Sequence, residues 1–221
     1  MSTVLIVLEI IGVISFSVTG ALMAIDKEND FLGVIFLSVI TSFGGGMLRD
    51  LFIGNTPPLF FSSYYLAAVC VVTATVVFVL AAIFKKQYVK HEGLISAINN
   101  YVDAVGLGVF VISGAKICID FGIENPLVIV IMGMLSGTGG SMTRDIIMRE
   151  VPALFRKRIY LIAGIVGACS YYFMYKAKVW DVVSVSVSAG LIVLIRVLAT
   201  IFKWNMPKAI DFDNLRADDE D

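Results

Sequence analysis

The heptapeptide Gly44-Gly45-Gly46-Met47-Leu48-Arg49-Asp50 returns as Gly139-Gly140-Ser141-Met142-Thr143-Arg144-Asp145, at a shift of 95 residues. At the same shift Pro57, Leu59 and Phe60 match Pro152, Leu154 and Phe155. Upstream, at a shift of 94, Gly12, Phe16, Gly20 and Ala21 match Gly106, Phe110, Gly114 and Ala115, which also sets Glu9 opposite Asp103. Pro, Arg and Asp are too scarce in this chain for composition to repeat them in this order. The chain is therefore read as an internal duplication, with one residue gained in the intervening hairpin.

What each copy can be follows from hydropathy. A bilayer core takes about 20 apolar residues per helix, and runs near that length occupy roughly 3–25, 31–52, 61–84, 96–119, 126–147, 158–176 and 179–203. With 58% hydrophobic and 16% charged residues, the 221-residue chain does not fit an ordinary soluble globule. Each copy holds three spans. Three is odd, so the second copy enters the membrane from the side opposite to the first, and the repeats are inverted. The fold class is an all-α membrane protein of seven transmembrane helices, two inverted three-helix repeats plus a seventh helix. The first repeat covers 1–84, a cytoplasmic connecting loop 85–95, the second repeat 96–176, the seventh helix 177–203 and an acidic cytoplasmic tail 204–221.

Seven spans leave the termini on opposite sides. One side gathers Lys27, Lys85, Lys86, Lys90, Arg144, Arg149, Arg156, Lys157, Arg158, Lys203, Lys208 and Arg216, and the other only Arg49, Lys116, Lys176 and Lys178. The positive-inside rule then predicts the N-terminus outside and the C-terminus in the cytoplasm of a plasma (inner) membrane protein. The first basic residue is Lys27, so the N-terminus lacks the positive start of a secretory signal and the first span is expected to stay. Tyr64, Tyr65, Tyr160, Tyr171, Tyr172, Tyr175, Trp180 and Trp204 cluster at span ends, as an interfacial belt does.

Inverted repeats usually meet about an axis in the membrane plane and place a permeation or binding path at their interface, often where glycine breaks a helix. Here Gly44, Gly45 and Gly46 stand inside the second span, and Gly137, Gly139 and Gly140 inside the fifth. Each interior glycine lowers helix stability by about 1 kcal/mol relative to alanine, so a kink or unwound turn is expected at both. Carbonyls freed there carry partial negative charge and would favour a cation, with hydroxyls from Ser42, Ser136 and Thr138 beside them. On this reading Gly45→Leu or Gly140→Leu blocks a path and leaves a folded oligomer. Close helix packing of the GxxxG kind is the competing explanation, supported by Gly133 and Gly137, and it predicts misassembly.

Charges inside spans are costly and need partners or water. Glu9 and Asp103 are expected either to attract cations along the path or to pair with Arg144 and Arg49 of the other repeat. Arg49-Asp50 and Arg144-Asp145 read as part of the same gating or charge network, or as helix-end charges. Lys116 and Arg196 are expected to snorkel, Lys116 with a voltage-sensing role as the alternative and Arg196 with an oligomer contact.

GGGMLRD and GGSMTRD in two inverted three-helix repeats, followed by a seventh helix, resemble the prokaryotic branch of the trimeric intracellular cation channel family over roughly residues 5–200. They also resemble a sister family of bacterial inner-membrane proteins with a glycine-transporter domain, built on the same Gly-Gly-x-x-x-Arg-Asp repeats. The first resemblance implies a homotrimer with one pore per protomer, lined by the first, second, fourth and fifth helices and conducting potassium. Carried over by motif, its kinks fall at Gly44 to Gly46 and Gly137 to Gly140. Ser141 replaces the third glycine, so the two need not act alike. The second resemblance implies a secondary transporter of a small amino acid such as glycine.

Other classes lack their motifs. No Thr-Val-Gly-Tyr-Gly filter and no P-loop is present, and His91, the sole histidine, lies in a polar loop, so no enzyme is read. Cys70, Cys118 and Cys169 sit in apolar runs without metal-ligand spacing. A net charge of -1 gives no electrostatic footprint for nucleic acid. No cofactor is expected beyond potassium as permeant ion and membrane lipid as a partner.

Overall fold

Seven helices long and apolar enough to cross a membrane form the body of the protein. The computed structural model describes residues 3–156 and 159–204, among which no strand occurs. The helices are α1 (Thr3–Asp26), α2 (Phe31–Phe52), α3 (Tyr64–Ile83), α4 (Lys85–Lys90), α5 (Glu92–Asp120), α6 (Pro126–Ile147), α7 (Ala153–Arg156), α8 (Ile159–Lys176) and α9 (Asp181–Ile201), with a 3-10 turn over Leu59–Ser62. All but α4 and α7 are long enough to span. Local chemistry starts them where it should. Asp30 accepts the Gly33 amide ahead of α2, and Asn125 accepts the Leu127 amide ahead of α6, where Pro126 supplies the first helical φ.

The bounds follow the apolar runs with one informative exception. α5 begins at Glu92, four residues before the expected 96, and α4 occupies part of the expected loop. Apolar length measures only the part of a helix in lipid, and the exposed Glu92 and Gly93 carry α5 beyond it. Residues 157 and 158 and the expected tail from 205 onward, Asp211 to Asp221 included, lie outside the described residues.

The packing has the symmetry that inverted repeats demand. α1, α2, α5 and α6 form the centre; α3 lies against α1 and α2 as α8 lies against α5 and α6, and α9 covers α5 and α8. Duplication mates meet on the axis, where Phe16 stacks on Phe110 with ring centroids 5.2 Å apart. α1 starts, and α2, α5 and α8 end, at what is here the amino-terminal face; α1, α3, α6 and α9 end at the carboxyl-terminal face.

The expected unwound turns are absent. α2 and α6 run unbroken through Gly44, Gly45 and Gly46 and through Gly137, Gly139 and Gly140. In lipid an unsatisfied backbone group costs several kcal/mol, more than the glycines take from helix stability, so the ladder stays closed and frees no carbonyls. The glycines serve close approach instead. A Cβ on Gly45 would sit on the Ser136 carbonyl oxygen and one on Gly140 on that of Thr41, while Cβ atoms on Gly139 and Gly44 would lie 2.9 Å from the Gly45 Cα and 3.3 Å from the Gly140 Cα. These contacts are reciprocal under the duplication, as backbones touching at a pseudo-two-fold axis must be. Two members of the expected belt also depart from it. Tyr160 and Tyr171 are buried between helices rather than set at the interface.

Candidate functional site

At the amino-terminal face a cavity of about 300 Å³ opens between α1, α2, α5 and α6, bounded by the 3-10 turn and the start of α3. Glu9 lines it from α1, where its carboxylate accepts the Ser113 hydroxyl of α5 at 3.3 Å. Ser42, Phe43, Gly46 and Arg49 line it from α2, Ser136 from α6, and Phe60 and Tyr65 close one side. A carboxylate held by the Ser113 hydroxyl and facing a cavity of this size makes the opening attractive to cations.

Arg49 closes the floor. Its Nε and Nη2 donate to Asp50 Oδ1 at 2.9 and 2.7 Å, and Nη1 donates to the Ser136 hydroxyl at 3.1 Å. Asp50 Oδ2 accepts the amide of Leu59 at 2.8 Å. The second copy repeats this at the opposite face. Arg144 Nε and Nη2 donate to Asp145 Oδ1 at 2.9 and 2.8 Å, and Asp145 Oδ2 accepts the Ala153 amide at 2.9 Å. Each Arg-Asp pair thus staples the end of a spanning helix to the short turn that follows it, satisfying an orphan amide at a helix start.

The expected cross-repeat pairs do not form. Asp103 reaches Arg196 of α9 at 3.5 Å, and Glu9 accepts from Ser113 of α5. Depth explains this. Glu9 stands six residues into α1 from the amino-terminal face, whereas Arg144 stands three residues from the end of α6 at the other, so roughly 20 Å of membrane depth separates them at 1.5 Å per residue. Inversion puts matched residues at opposite faces, and an acid of one repeat cannot reach the Arg of the other.

Arg196 does not snorkel. It is 3% exposed, and its guanidinium Cζ lies 4.4 Å from the centre of the Tyr160 ring, a cation–π geometry. Lys116 is clipped near the carboxyl-terminal end of α5, at the amino-terminal face, between Asp120, 3.5 Å away, and Asp181 of α9, 3.3 Å away. Ser42 faces the cavity with a long 3.4 Å contact to the Val13 carbonyl, while the Thr138 hydroxyl turns back to the Met134 carbonyl of its own helix. Gly137 packs on Val111, away from the cavity. Outside the membrane, Tyr88 of α4 donates to Asp26 at 2.7 Å, and burial together with that carboxylate pushes its phenol above the usual value. Tyr65, Ser113, Tyr160 and Arg196 are the site residues that sequence reasoning missed. The duplication carried a signal for two of them, since Tyr65 maps on Tyr160 at the shift of 95.

Comparison with known proteins agrees with this architecture. The family model for "Glycine transporter" matches residues 6–82 and again 100–176, one match per repeat. A UPF0126 membrane protein of Deinococcus radiodurans is 39% identical over 164 residues, 73% of this chain and 72% of that one. The UPF0126 membrane protein YvgT of Bacillus subtilis is 30% identical over 94% of this chain and 98% of its own. Among solved structures, the TRIC trimeric intracellular cation channel orthologue from Rhodobacter sphaeroides superposes with a TM-score of 0.82 at 29% identity, covering 92% of this chain and 100% of that chain. A prokaryotic TRIC channel solved in 0.5 M KCl gives 0.82 at 30% identity, with 93% and 100% covered.

Proposed function

As the chain belongs to the glycine transporter family of multi-pass membrane proteins, together with the UPF0126 proteins, we propose that it is a passive monovalent cation channel whose physiological ion is potassium. The path runs within one protomer between α1, α2, α5 and α6, and the protomers assemble as a homotrimer, as the TRIC channels that it resembles are named for doing. The observation that carries this reading is the cavity at the amino-terminal face, where Glu9 presents a carboxylate to an opening bounded by those four helices. Continuous α2 and α6 remove the carbonyl ends as a source of cation affinity, so the affinity rests on side chains.

Purified protein in planar bilayers is expected to give discrete unitary currents whose reversal potential follows the potassium gradient. Glu9→Gln is expected to lower the unitary conductance about fivefold, the weight of about 1 kcal/mol for one charge acting near 4 Å through water. Silent membranes would refute the channel reading.

The second reading, a transporter of a small zwitterion such as glycine, draws on Glu9 and Arg49 lining one cavity, an acid for the ammonium and a guanidinium for the carboxylate. Three of the five Arg49 N–H donors are already engaged by Asp50 and Ser136, and transporters of inverted-repeat design bind at discontinuous helices that this protein lacks among its described residues. Counterflow of labelled glycine in proteoliposomes without unitary current would support it.

The proposed placement is the plasma membrane with the N-terminus outside. Lys27, Lys85, Lys86, Lys90 and Lys203 gather at the carboxyl-terminal face, which the positive-inside rule puts in the cytoplasm. A reporter fused after Asp221 is expected to be cytosolic and one fused before Ser2 external; the reverse result would overturn the orientation.

A further inference from the structure

The duplication maps the open cavity at the amino-terminal face onto a region at the carboxyl-terminal face. At the shift of 95, Gly46, Arg49, Asp50 and Tyr65 correspond to Ser141, Arg144, Asp145 and Tyr160; at 94, Glu9 corresponds to Asp103. The two regions are in different states. Tyr65 is 45% exposed at the cavity edge, and Tyr160 is 1% exposed.

Three contacts account for the difference. Ser141, standing where the first copy has Gly46, brings its hydroxyl to 3.4 Å from the Tyr160 hydroxyl and holds the ring inward. The face of that ring carries the guanidinium of Arg196. The same guanidinium reaches Asp103, the counterpart of the cavity acid Glu9, through Nη2. Arg196 comes from α9, which lies outside both repeats, so the first copy has no equivalent. In the second copy, then, a positive charge supplied by the chain stands between the acid and the aromatic ring.

That charge is loosely held. The Asp103 contact, at 3.5 Å, is longer than a well-formed charge-assisted hydrogen bond, and Nε of Arg196 is buried with no hydrogen-bond partner among the described residues. Arg49 and Arg144 by contrast each place two donors on one carboxylate oxygen at 2.7 to 2.9 Å. A buried donor left unsatisfied disfavours the position that strands it, so displacing Arg196 costs less than displacing either staple. A way out exists, since a cavity of about 290 Å³ lined by Arg196, Thr200, Lys203 and Trp204 lies beside it at the carboxyl-terminal face.

We infer that Asp103 and Tyr160 form a second cation site, for guanidinium and monovalent cations, and that the chain fills it with its own Arg196 as a tethered blocker of the carboxyl-terminal half of the path. The inference rests on the channel reading for its consequence but not for the site itself. With Arg196 in place Asp103 is neutralised and cations are repelled. With Arg196 swung toward Lys203 the acid faces the path as Glu9 does at the other end.

Two measurements test this separately. In planar bilayers, Arg196→Ala is expected to raise open probability at least tenfold, and millimolar guanidinium chloride from the carboxyl-terminal side is expected to restore closure, with no effect on wild type. In detergent, the same guanidinium is expected to raise the unfolding temperature of Arg196→Ala but not that of wild type. Should Arg196→Ala fail to fold because Asp103 is stranded, Arg196→Gln/Asp103→Asn removes both charges; it is expected to be open and insensitive to guanidinium in both measurements. Conducting wild type with unchanged open probability in the variants, or no thermal response to guanidinium in the single variant, would overturn the inference. Silent bilayers with the thermal response present would instead overturn the channel reading and leave the site standing.

Discussion

Gly45→Leu and Gly140→Leu are each expected to eliminate the monodisperse, folded protein. The obstacle in both cases is backbone, the Ser136 and Thr41 carbonyls, which cannot rotate aside as a flexible side chain would. α2 and α6 would have to separate along the contact on which the two repeats close. Overpacking a well-fitted site costs about 1–3 kcal/mol when side chains can adjust, and more where they cannot, against a total stability of about 5–15 kcal/mol. Gly45→Ala, adding only the Cβ, is expected to lower the unfolding temperature measurably. Gly190→Ala is the matched control, because nothing lies within 4 Å of its Cβ position; it is expected to stay within about 0.5 kcal/mol of wild type. Size-exclusion profiles and thermal unfolding in detergent decide the matter. A normal elution profile for Gly45→Leu would restore the expectation drawn from sequence, that these glycines line a path.

Breaking either Arg-Asp staple is the second large effect expected. Removing one member of a buried ion pair leaves an uncompensated charge and costs about 3–5 kcal/mol. Asp50→Ala and Asp145→Ala lose in addition the acceptor for the Leu59 and Ala153 amides, so each should be the more damaging of its pair. Arg49→Gln/Asp50→Asn is expected to recover part of the loss, with a coupling of at least about 1 kcal/mol in a double-mutant cycle. Glu9→Gln/Arg144→Gln is expected to be additive within about 0.5 kcal/mol, since those residues stand at opposite faces. Additivity in the first cycle, or coupling in the second, would contradict the pairing of Arg49 with Asp50 and the separation of Glu9 from Arg144.

The glycines and the charges also mark where sequence reasoning succeeded and where it stopped. Gly44, Gly45, Gly46, Gly139 and Gly140 were legible as residues of the interface between the two repeats, though as breaks lining a path rather than as the backbone contact that Gly44, Gly45, Gly139 and Gly140 form. That they remain helical was not legible. Intrinsic propensity disfavours them, and only the closure of α2 on α6 in a medium without water reverses the balance. Glu9 was legible as a cavity residue from its cost in lipid, but its partner Ser113 is 104 residues away and shares no pattern with it.

By itself the sequence determined the number of spans, the inversion of the repeats and the faces of Glu9, Arg49, Asp103 and Arg144. These follow from quantities counted along one dimension: apolar length against bilayer thickness, a constant rise per residue, and the parity of three spans per copy. Only the tertiary structure decided that Arg49 and Arg144 bind the aspartates beside them, that Tyr65 faces the cavity while Tyr160 is buried, and that Arg196 occupies the acid of the second copy. Such outcomes depend on how each helix is rotated about its own axis and where its neighbours cross it. All side chains at the contact set that rotation together. α9, belonging to neither repeat, contributes a residue that no comparison of the two copies contains.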